Sequence, residues 1–449
     1  MQNSTLPPTY CKYDANTASQ TTVPREPRYS ITLSDVLERS NMLLAMKRVR
    51  ANKGAAGSDN LSIDETTKLL KTEWVSIKDK LLAGKYKPNP VKTVYIPKPG
   101  GKGTRMLGIP SVTDRLIQQA MLQKLTPLFD KDFSNNSFGF RPGRNAHQAV
   151  KQAHQHLCNG YLIAVDIDLE KFFDNVNHDR LMAKLADKIS DKPLLKLLRA
   201  YLQNGMMDNG TIIERDSGTP QGSPLSPLLS NIVLDELDKE LEKRNHKFCR
   251  YADDVQIHVK SKEAGLRVLA SISKFIETKL KLKVNREKSK VGDATRSSLL
   301  GYSFIGWKTP RIRCSKETIK RFKFRIRQLT RGHRREPLEW KLKELDTFIR
   351  GWMGYFRLVE TQKVLKDLDS WIRSRLRMCQ MKQWFFPKTR IKNMRKLGLG
   401  PEECKCYSKP KRWWFCAQLH HTRFLLNNEY WRKRGYLGIM YYFEKFANV

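Results

Sequence analysis

Apolar and polar residues alternate near the middle of the chain. Val255, Ile257 and Val259 are separated by single polar residues, which is the period of a half-buried strand. A second strand-like run precedes them, so residues 251–254, Tyr-Ala-Asp-Asp, are predicted to form the tip of a hairpin. Carboxylates are costly to bury unpaired, and the expected partner of two of them at a rigid turn is a divalent cation. The pattern therefore predicts a metal site at this hairpin.

A second acidic strand end lies upstream. The apolar run of residues 162–165 is followed by Asp166 and Asp168, which are two positions apart and so lie on one face of a strand. An Asp-Asp pair alone is common in solvated turns, but a second acidic strand end favours a shared site. Three carboxylates could hold two metal ions about 3.5–4 Å apart, the arrangement used in phosphoryl transfer. Because both side chains lie on the same face, either Asp166 or Asp168 could be the metal ligand.

Capping residues and helical periodicity predict the main helices. A helix is expected to begin with Ser34 as its N-cap and to run to Val49, and an amphipathic helix is expected over residues 114–129. Ser226 and Pro227 are typical of an N-cap and a first helical residue. A further helix is therefore predicted to begin there.

The charge of the chain indicates the kind of partner that it binds, because the chain is strongly basic. Its formal net charge of +39 over 449 residues is the electrostatic footprint of a polyanion, with nucleic acid the first expectation. From residue 311 to the end there are 35 Lys/Arg and 12 Asp/Glu, a net charge of +23. Apolar residues recur there at helical spacing, which predicts helices that pack on one face and meet phosphate on the other. The last 50 residues also interleave aromatic and basic side chains, which suits nucleic-acid binding by charge and stacking.

Composition also limits the location and the cysteine chemistry. The sequence lacks an apolar run of about 18 residues and a signal-peptide pattern, so it predicts neither membrane insertion nor secretion, and a cytoplasmic protein is expected. The eight cysteines are then most simply reduced thiols. Cys404, Cys406, Cys416 and His420 offer a zinc site as the less favoured alternative, because their spacing is not a standard pairing.

Three motifs, in their order along the chain, resemble those of group II intron reverse transcriptases, or maturases, and most closely the compact class without an endonuclease domain. They are Phe-Gly-Phe-Arg-Pro-Gly-Arg at 138–144, Gly-Thr-Pro-Gln-Gly-Ser-Pro-Leu-Ser-Pro at 218–227 and Tyr-Ala-Asp-Asp at 251–254. The resemblance covers roughly residues 31–449. Any one motif could occur by chance, whereas all three in this order are very specific.

The resemblance implies an α+β fold with the right-hand architecture of polymerases. Fingers and palm with an antiparallel sheet are expected over residues 31–308, and a helical thumb or maturase domain over 309–400. A small DNA-binding region is expected over 401–449. Residues 1–30, rich in Pro, Thr, Ser and Asn, are predicted to be a flexible extension.

The resemblance further implies an RNA-directed DNA polymerase that also binds intron RNA to assist splicing and mobility. The family has an aromatic residue five positions after its catalytic Asp, which favours Asp168 because Phe173 follows it at that distance. Asp168, Asp253 and Asp254 would then bind two Mg²⁺ ions, or Mn²⁺, between a DNA primer on an RNA template and a deoxynucleoside triphosphate. Phe173 would exclude a 2′-hydroxyl, although ordinary core packing is the plain alternative.

Likeness to the family assigns further contacts with the substrates. Lys98 and Arg105, on a glycine-rich hairpin, would bind the incoming triphosphate, although a solvated surface hairpin is the plain alternative. Gln221 would lie near the template and the nucleotide, and Lys288 near the pyrophosphate. Arg141 would contact the template.

The same resemblance assigns roles to Arg144 and to residues 299–304. Arg144 would join Arg141 at the template, although a free basic loop explains it equally well. Residues 299–304 match the hairpin that grips the primer.

Two other functions compete with this prediction. One is an RNA-binding splicing factor with a vestigial polymerase, which the intact acids argue against. The other is a domesticated reverse transcriptase in repair or defence. The sequence does not separate the second from a maturase, whereas a group II ribozyme in the flanking DNA would.

Overall fold

The structure is a computed structural model that describes residues 31–97, 103–208, 211–213, 217–219, 222–331, 336–408 and 413–447. Lys98 and Gln221, both assigned to substrate contacts above, lie outside these ranges.

The first part of the chain packs helices beside a small sheet. Its elements are α1 (Leu33–Val36), α2 (Arg39–Ala51), α3 (Ile63–Leu82), β1 (Val91–Pro97), β2 (Thr104–Ile109), α4 (Val112–Asp130) and α5 (Ala146–Cys158). The helix predicted over residues 114–129 is confirmed as α4. The prediction of a single helix from Ser34 is wrong, because Thr32 forms a capping box with Asp35 and the first helix ends at Val36, with Leu37 as its C-cap, before α2 begins.

The middle of the chain alternates strands and helices. Its elements are β3 (Ile163–Ile167), a 3₁₀ turn (Phe172–Asp174), α6 (His178–Lys188), α7 (Lys192–Gln203), β4 (Met206–Asp208), β5 (Thr211–Ile213), α8 (Ser226–Lys243), β6 (Lys247–Tyr251), β7 (Asp254–Val259), α9 (Lys262–Phe275), a π-helical turn (Ile276–Leu280) and β8 (Lys290–Asp293). The predicted hairpin is therefore β6–β7. The predicted third helix is α8, although its N-cap is Leu225 and Ser226 is already helical.

Two four-stranded sheets result. One has the order β6-β7-β3-β8 and is antiparallel throughout, which confirms that the fold contains an antiparallel sheet. The other has the order β2-β1-β4-β5 and is mixed, because it contains a parallel pair, β1 with β4, that the sequence analysis did not predict. Parallel pairing is possible because several helices separate these two strands and supply the crossover.

The last part of the chain is helical after one hairpin. Its elements are β9 (Tyr302–Ile305), β10 (Arg311–Cys314), α10 (Lys316–Leu329), α11 (Leu338–Tyr355), α12 (Gln362–Gln383), α13 (Pro387–Lys396), α14 (Pro401–Ser408), α15 (Trp413–Cys416), α16 (His420–Leu425), α17 (Asn428–Lys433) and α18 (Ile439–Ala447). Phe322, Ile326 and Leu329 form the buried face of α10, which confirms the helical spacing of apolar residues predicted there.

Two apolar cores hold these parts together. The first lies under α4, α8 and one face of the β6-β7-β3-β8 sheet. The second fills the helical part and extends to Val150 and Leu157 of α5 and Cys249 of β6, so the helices pack against the other face of the β6-β7-β3-β8 sheet. No described helix is both long and apolar enough to span a bilayer.

Candidate active site

The hairpin that carries Asp253 and Asp254 is shaped by a neighbouring glycine loop. Ala252 takes a left-handed conformation, with φ of +57°, at the β6–β7 turn. Gly139 packs directly on it, and a Cβ on Gly139 would lie 2.4 Å from the Ala252 nitrogen. The Phe138 amide donates to the Arg250 carbonyl at 2.9 Å. The first half of the 138–144 motif therefore supports the turn through its backbone, and only glycine fits at this contact.

A buried ionic network fixes the same turn from behind. The side chains of Arg250 and Asp238 are fully buried and form a salt bridge, with Nε 2.7 Å from one carboxylate oxygen. The Arg250 guanidinium also donates to Asn231 at 2.8 Å and to the Ala252 carbonyl at 3.0 Å. Asn231 in turn donates to the Gly139 carbonyl at 2.9 Å. Since every link is directional, the network holds the hairpin turn in one geometry.

Asp168 reaches the site from the end of β3. Pairing of Ile167 with Val255 places Asp168 beside the start of β7. Its amide donates to the Ser289 hydroxyl at 3.0 Å, and its carbonyl accepts from the Asn285 amide at 2.9 Å. The ammonium of Lys288 lies 3.7 Å from the Asp168 carboxylate. The segment after the π-helical turn therefore anchors Asp168 and brings Lys288 to it.

Asp166, the alternative metal ligand in the sequence analysis, accepts hydrogen bonds from neutral side chains. Its two carboxylate oxygens accept from Gln256 at 2.7 Å and from Ser297 at 2.6 Å. Neutral donors thus occupy Asp166, whereas Asp168 faces a cation.

Charge repulsion links the carboxylates. Enclosure by the surrounding protein, and then the negative charges of Asp253, Asp168 and Asp166, raise the pKa of Asp254 to about 6. Within the described ranges, no three acidic, histidine or cysteine side chains already converge closely enough to hold an ion. The donors are nevertheless hard oxygens that repel one another, which suits Mg²⁺ or Mn²⁺. A bound cation would relieve this repulsion.

Phe173 lines a separate cavity of about 470 Å³ next to the 218–227 motif. Its ring is half-buried, and the cavity wall continues through Arg115, Gln119 and Gly222. The Thr219 amide donates to the Phe173 carbonyl at 2.6 Å. The glycine-rich motif therefore holds the backbone of Phe173, and its ring faces open space as well as core.

Comparison with known proteins decides the family. A family model described as reverse transcriptase (RNA-dependent DNA polymerase) matches residues 96–304, and one described as group II intron, maturase-specific domain matches residues 319–398. Protein YkfC of Escherichia coli K12 is 33% identical over 304 residues, which cover 59% of this chain and 78% of YkfC. The group II intron-encoded protein LtrA of Lactococcus lactis subsp. cremoris is 32% identical over 318 residues, which cover 68% of this chain and 49% of LtrA.

The chain belongs to the group II intron reverse transcriptase and maturase family. This confirms the family predicted from the motifs. The chain contains a reverse transcriptase domain followed by a maturase-specific domain, and it spans about half the length of LtrA.

A second cavity, of about 750 Å³, joins the reverse transcriptase domain to the helices of the maturase domain. Asp254 lies on one side of it and Arg321, Arg325 and Phe322 of α10 on the other. The turn at Gly301, between residues 299 and 304, also lines it. The hairpin expected to grip the primer is therefore next to the carboxylates.

Arg141 of the reverse transcriptase domain, predicted to contact the template, is engaged within its own loop. Its side chain is only 5% exposed and forms a salt bridge of 2.7 Å with Asp130. Its other donors bond the carbonyls of Ser134 at 2.6 Å and Ser137 at 3.0 Å. These partners occupy the guanidinium, so Arg141 stabilises its loop, and its contact with the template stays a prediction.

The remaining predicted basic residues are accessible to different degrees. Arg144 donates to Asn135 at 2.6 Å, while Arg105 is exposed on β2 opposite Ile96. Sequence reasoning missed Arg115, which shares the cavity of Phe173, together with Arg250 and its partner Asp238. The only sequence signal for Arg250 is its position next to the Tyr-Ala-Asp-Asp motif, because a charged residue in a sequence is ordinarily interpreted as surface.

α12 is one of the basic helices predicted after residue 311, and its arginines already have partners within the protein or are buried. Arg373 pairs with Asp369, Arg375 donates to the Thr330 hydroxyl at 2.6 Å, and Arg377 is buried. The helix is therefore not a freely exposed basic face.

The cysteines considered for zinc lie in the same region. Cys404 and Cys416 are buried, Cys406 is exposed, and Cys416 accepts from Arg390 at 3.6 Å. Together with His420 they do not form a metal-binding group among the described residues.

Proposed function

We propose that this chain is the RNA-directed DNA polymerase of a group II intron, with Asp168, Asp253 and Asp254 as the ligands of two Mg²⁺ ions. The observation that carries the proposal is the pairing of β3 with β7, which puts Asp168 beside the turn of Asp253 and Asp254. The raised pKa of Asp254 supports it, because neighbouring carboxylates contribute to that shift. The reverse transcriptase family uses divalent metal ions in general. For this chain we propose that the ions are Mg²⁺ and that two of them bind.

The residues around the three carboxylates are proposed to bind the primer and the triphosphate. Divalent ions, when bound, activate the primer 3′-hydroxyl and neutralise the triphosphate in this type of chemistry. Lys288 lies beside Asp168 and would neutralise the leaving pyrophosphate as a point charge. Arg105, and by family likeness Lys98, would hold the triphosphate, and Gln221 would lie against the nascent base pair.

The test is extension of a DNA primer on an RNA template by the purified full chain with deoxynucleoside triphosphates and Mg²⁺. Asp168→Ala and Asp253→Ala should each lower the rate by at least about a thousandfold, because each removes a carboxylate ligand. RNA affinity should stay within about twofold, because phosphate contacts supply most of it. Asp187→Ala, at an exposed position on α6, is the matched control. Substantial extension by either active-site variant would refute the metal assignment.

Selection of deoxynucleotides is proposed for Phe173. Phe173→Val should raise the incorporation of ribonucleotides relative to deoxynucleotides by roughly tenfold, because the cavity gains room for a 2′-hydroxyl. Phe172→Leu is the control, since Phe172 is a buried core residue next to it. An unchanged ratio in single-nucleotide extension would assign Phe173 to the core.

Binding of intron RNA to assist splicing is the second part of the proposal. The maturase-specific match at residues 319–398 and the net charge of +23 from residue 311 onward support it. Tight binding to a group II intron, and a gain in splicing at moderate Mg²⁺, should therefore survive Asp254→Ala. Filter binding and self-splicing assays with the neighbouring intron measure this. If no intron lies beside the gene and intron RNA is not preferred over random RNA, a domesticated polymerase replaces this part of the proposal.

A further inference from the structure

A polar cavity of about 460 Å³ lies between α12 and the segment of α15 and α16, away from the carboxylates of the palm. Its walls carry more positive than negative side chains. The lining consists of Asp367, Ser370, Trp371, Arg373, Ser374, Arg377, Gln418 and Arg423. Asp367 is exposed at the rim.

Arg377 is an unusual member of this lining because its side chain is almost entirely buried. The residue is 8% exposed, and its Nε donates to the Ala417 carbonyl at a long 3.3 Å. Burial, and then the positive charges of Arg423 and Arg373, lower the pKa of Arg377 to about 10. Buried guanidinium groups normally have an acidic partner. Here the near neighbours are two more guanidinium groups.

The carboxylate that pairs with one member of the cluster also serves other groups. Asp369 pairs with Arg373, but its other oxygen accepts from the Tyr436 hydroxyl at 2.9 Å and the Ile439 amide at 3.1 Å. Asp369 thus ties α12 to the start of α18 and neutralises only one of the three arginines.

Neutral side chains orient the third arginine. Arg423 donates to the Gln418 side-chain oxygen at 2.8 Å, and the Gln418 amide donates to the Ser374 hydroxyl at 2.7 Å. This chain of bonds holds the planar guanidinium of Arg423 at the cavity mouth. Such a fork matches two oxygens of a phosphate group.

We propose that Arg373, Arg377 and Arg423 bind one backbone phosphate of RNA in this cavity. The inference rests on the proposed RNA-binding function and assigns one subsite to it. RNA is favoured over a free phosphate because positive charge continues beyond the cavity. Trp371, in the cavity wall, has the cationic groups of Arg327 and Arg375 each 5.6 Å from its ring. A row of cations suits a polymer of phosphates.

The experiment measures binding of a hairpin RNA of about 30 nucleotides to the full chain across a salt series, without nucleotides or primer. Arg423→Gln should weaken binding about tenfold and reduce the slope of log affinity against log salt by about 1. Arg395→Gln, on an exposed position of α13 in the same domain, makes the same charge change away from the cavity. It should alter affinity by less than about twofold.

A second variant tests the cavity from within. Ser374→Asp adds a carboxylate among the guanidinium groups, so it should raise the melting temperature and still weaken RNA binding about as much as Arg423→Gln. Melting with and without inorganic phosphate completes the design. A loss of RNA binding in Ser374→Asp at an unchanged or raised melting temperature is not a loss of folding.

Three outcomes would overturn the inference. Equal effects of Arg423→Gln and Arg395→Gln would show diffuse attraction. A phosphate-induced rise in melting temperature that Arg423→Gln abolishes, with RNA affinity unchanged, would assign the cavity to a small anion. Unchanged RNA binding in Ser374→Asp would leave the cluster with a structural role. The proposed function is judged separately, since wild-type RNA binding and primer extension test it without reference to these variants.

Discussion

The two walls of the cavity above Asp254 are stabilised in different ways. On the palm side, the turn is held by the buried salt bridge between Arg250 and Asp238. On the helical side, Phe322 of α10 packs its ring 4.4 Å from that of Trp352, which in turn lies 4.8 Å from Phe356. One wall therefore depends on directional bonds between charges, and the other on contact between apolar rings.

This difference corresponds to what the proposed two-metal chemistry would require of each wall. Two-metal chemistry needs carboxylates fixed to within a fraction of an ångström, and a network of charge-assisted hydrogen bonds permits only one arrangement. Aromatic contact is less directional and tolerates volume-conserving changes. A wall of this kind can adjust to duplexes of different sequence. We therefore expect charge changes to damage the palm wall and shape changes to be better tolerated on the helical wall.

The largest expected effect is the loss of the buried carboxylate. Asp238→Asn leaves the Arg250 guanidinium buried without its counter-charge, which should lower the free energy of unfolding by about 3–5 kcal/mol. Denaturant unfolding measures it. The control is Asp179→Asn in the exposed pair with Arg199, whose side chains are 78% and 46% exposed. Exposed pairs contribute roughly 0–1 kcal/mol. Equal losses in the two variants would contradict a special role for the buried pair.

A double variant separates stability from positioning. Replacing Asp238 by Leu and Arg250 by Met removes both charges and should recover much of the lost stability. Primer extension should stay impaired, because the Ala252 carbonyl and Asn231 lose their donor. Recovery of both properties would show that the network stabilises the fold without fixing the turn.

The same comparison explains what the sequence could and could not predict. The hairpin of Asp253 and Asp254 was predictable because its two-residue period and its turn lie within about ten positions. The partners of Arg250, Arg141 and Arg377 were not, because each partner belongs to a different element and only the fold brings them together. The sequence marks these residues as charged, and tertiary packing decides that they are buried.

An intermediate effect is expected from pH, and it should also arise on the palm side. His258 of β7 is buried against His156 of α5, with ring centroids 5.5 Å apart, and Lys247 lies opposite it on β6. Burial, and then His156, lower the pKa of His258 from 6.5 to about 3. As pH falls below about 6.5, the unfolded chain takes up the proton and the folded chain does not. The contribution of His258 to the free energy of unfolding should therefore decrease by about 2 kcal/mol between pH 7 and pH 5.

His258→Leu should remove that part of the acid sensitivity. The variant has a similar volume and no titrating group, so its unfolding free energy should fall less than that of the wild type between pH 7 and pH 5. Thermal and denaturant unfolding at both pH values measure the difference. His420→Leu, at an exposed position of α16, is the control and should leave the wild-type dependence unchanged. Identical pH dependence in His258→Leu and the wild type would refute a neutral, buried His258.

The smallest expected effect belongs to the helical wall. Phe322 is 1% exposed, and Phe322→Leu keeps an apolar side chain while removing the ring contacts with Trp352 and Phe348. Loss of these contacts and a small cavity should lower the free energy of unfolding by about 1 kcal/mol, with no change in its pH dependence. Denaturant unfolding and primer extension on several templates measure both consequences. A loss as large as that of Asp238→Asn would mean that the aromatic wall is as rigidly specified as the wall that carries Asp254.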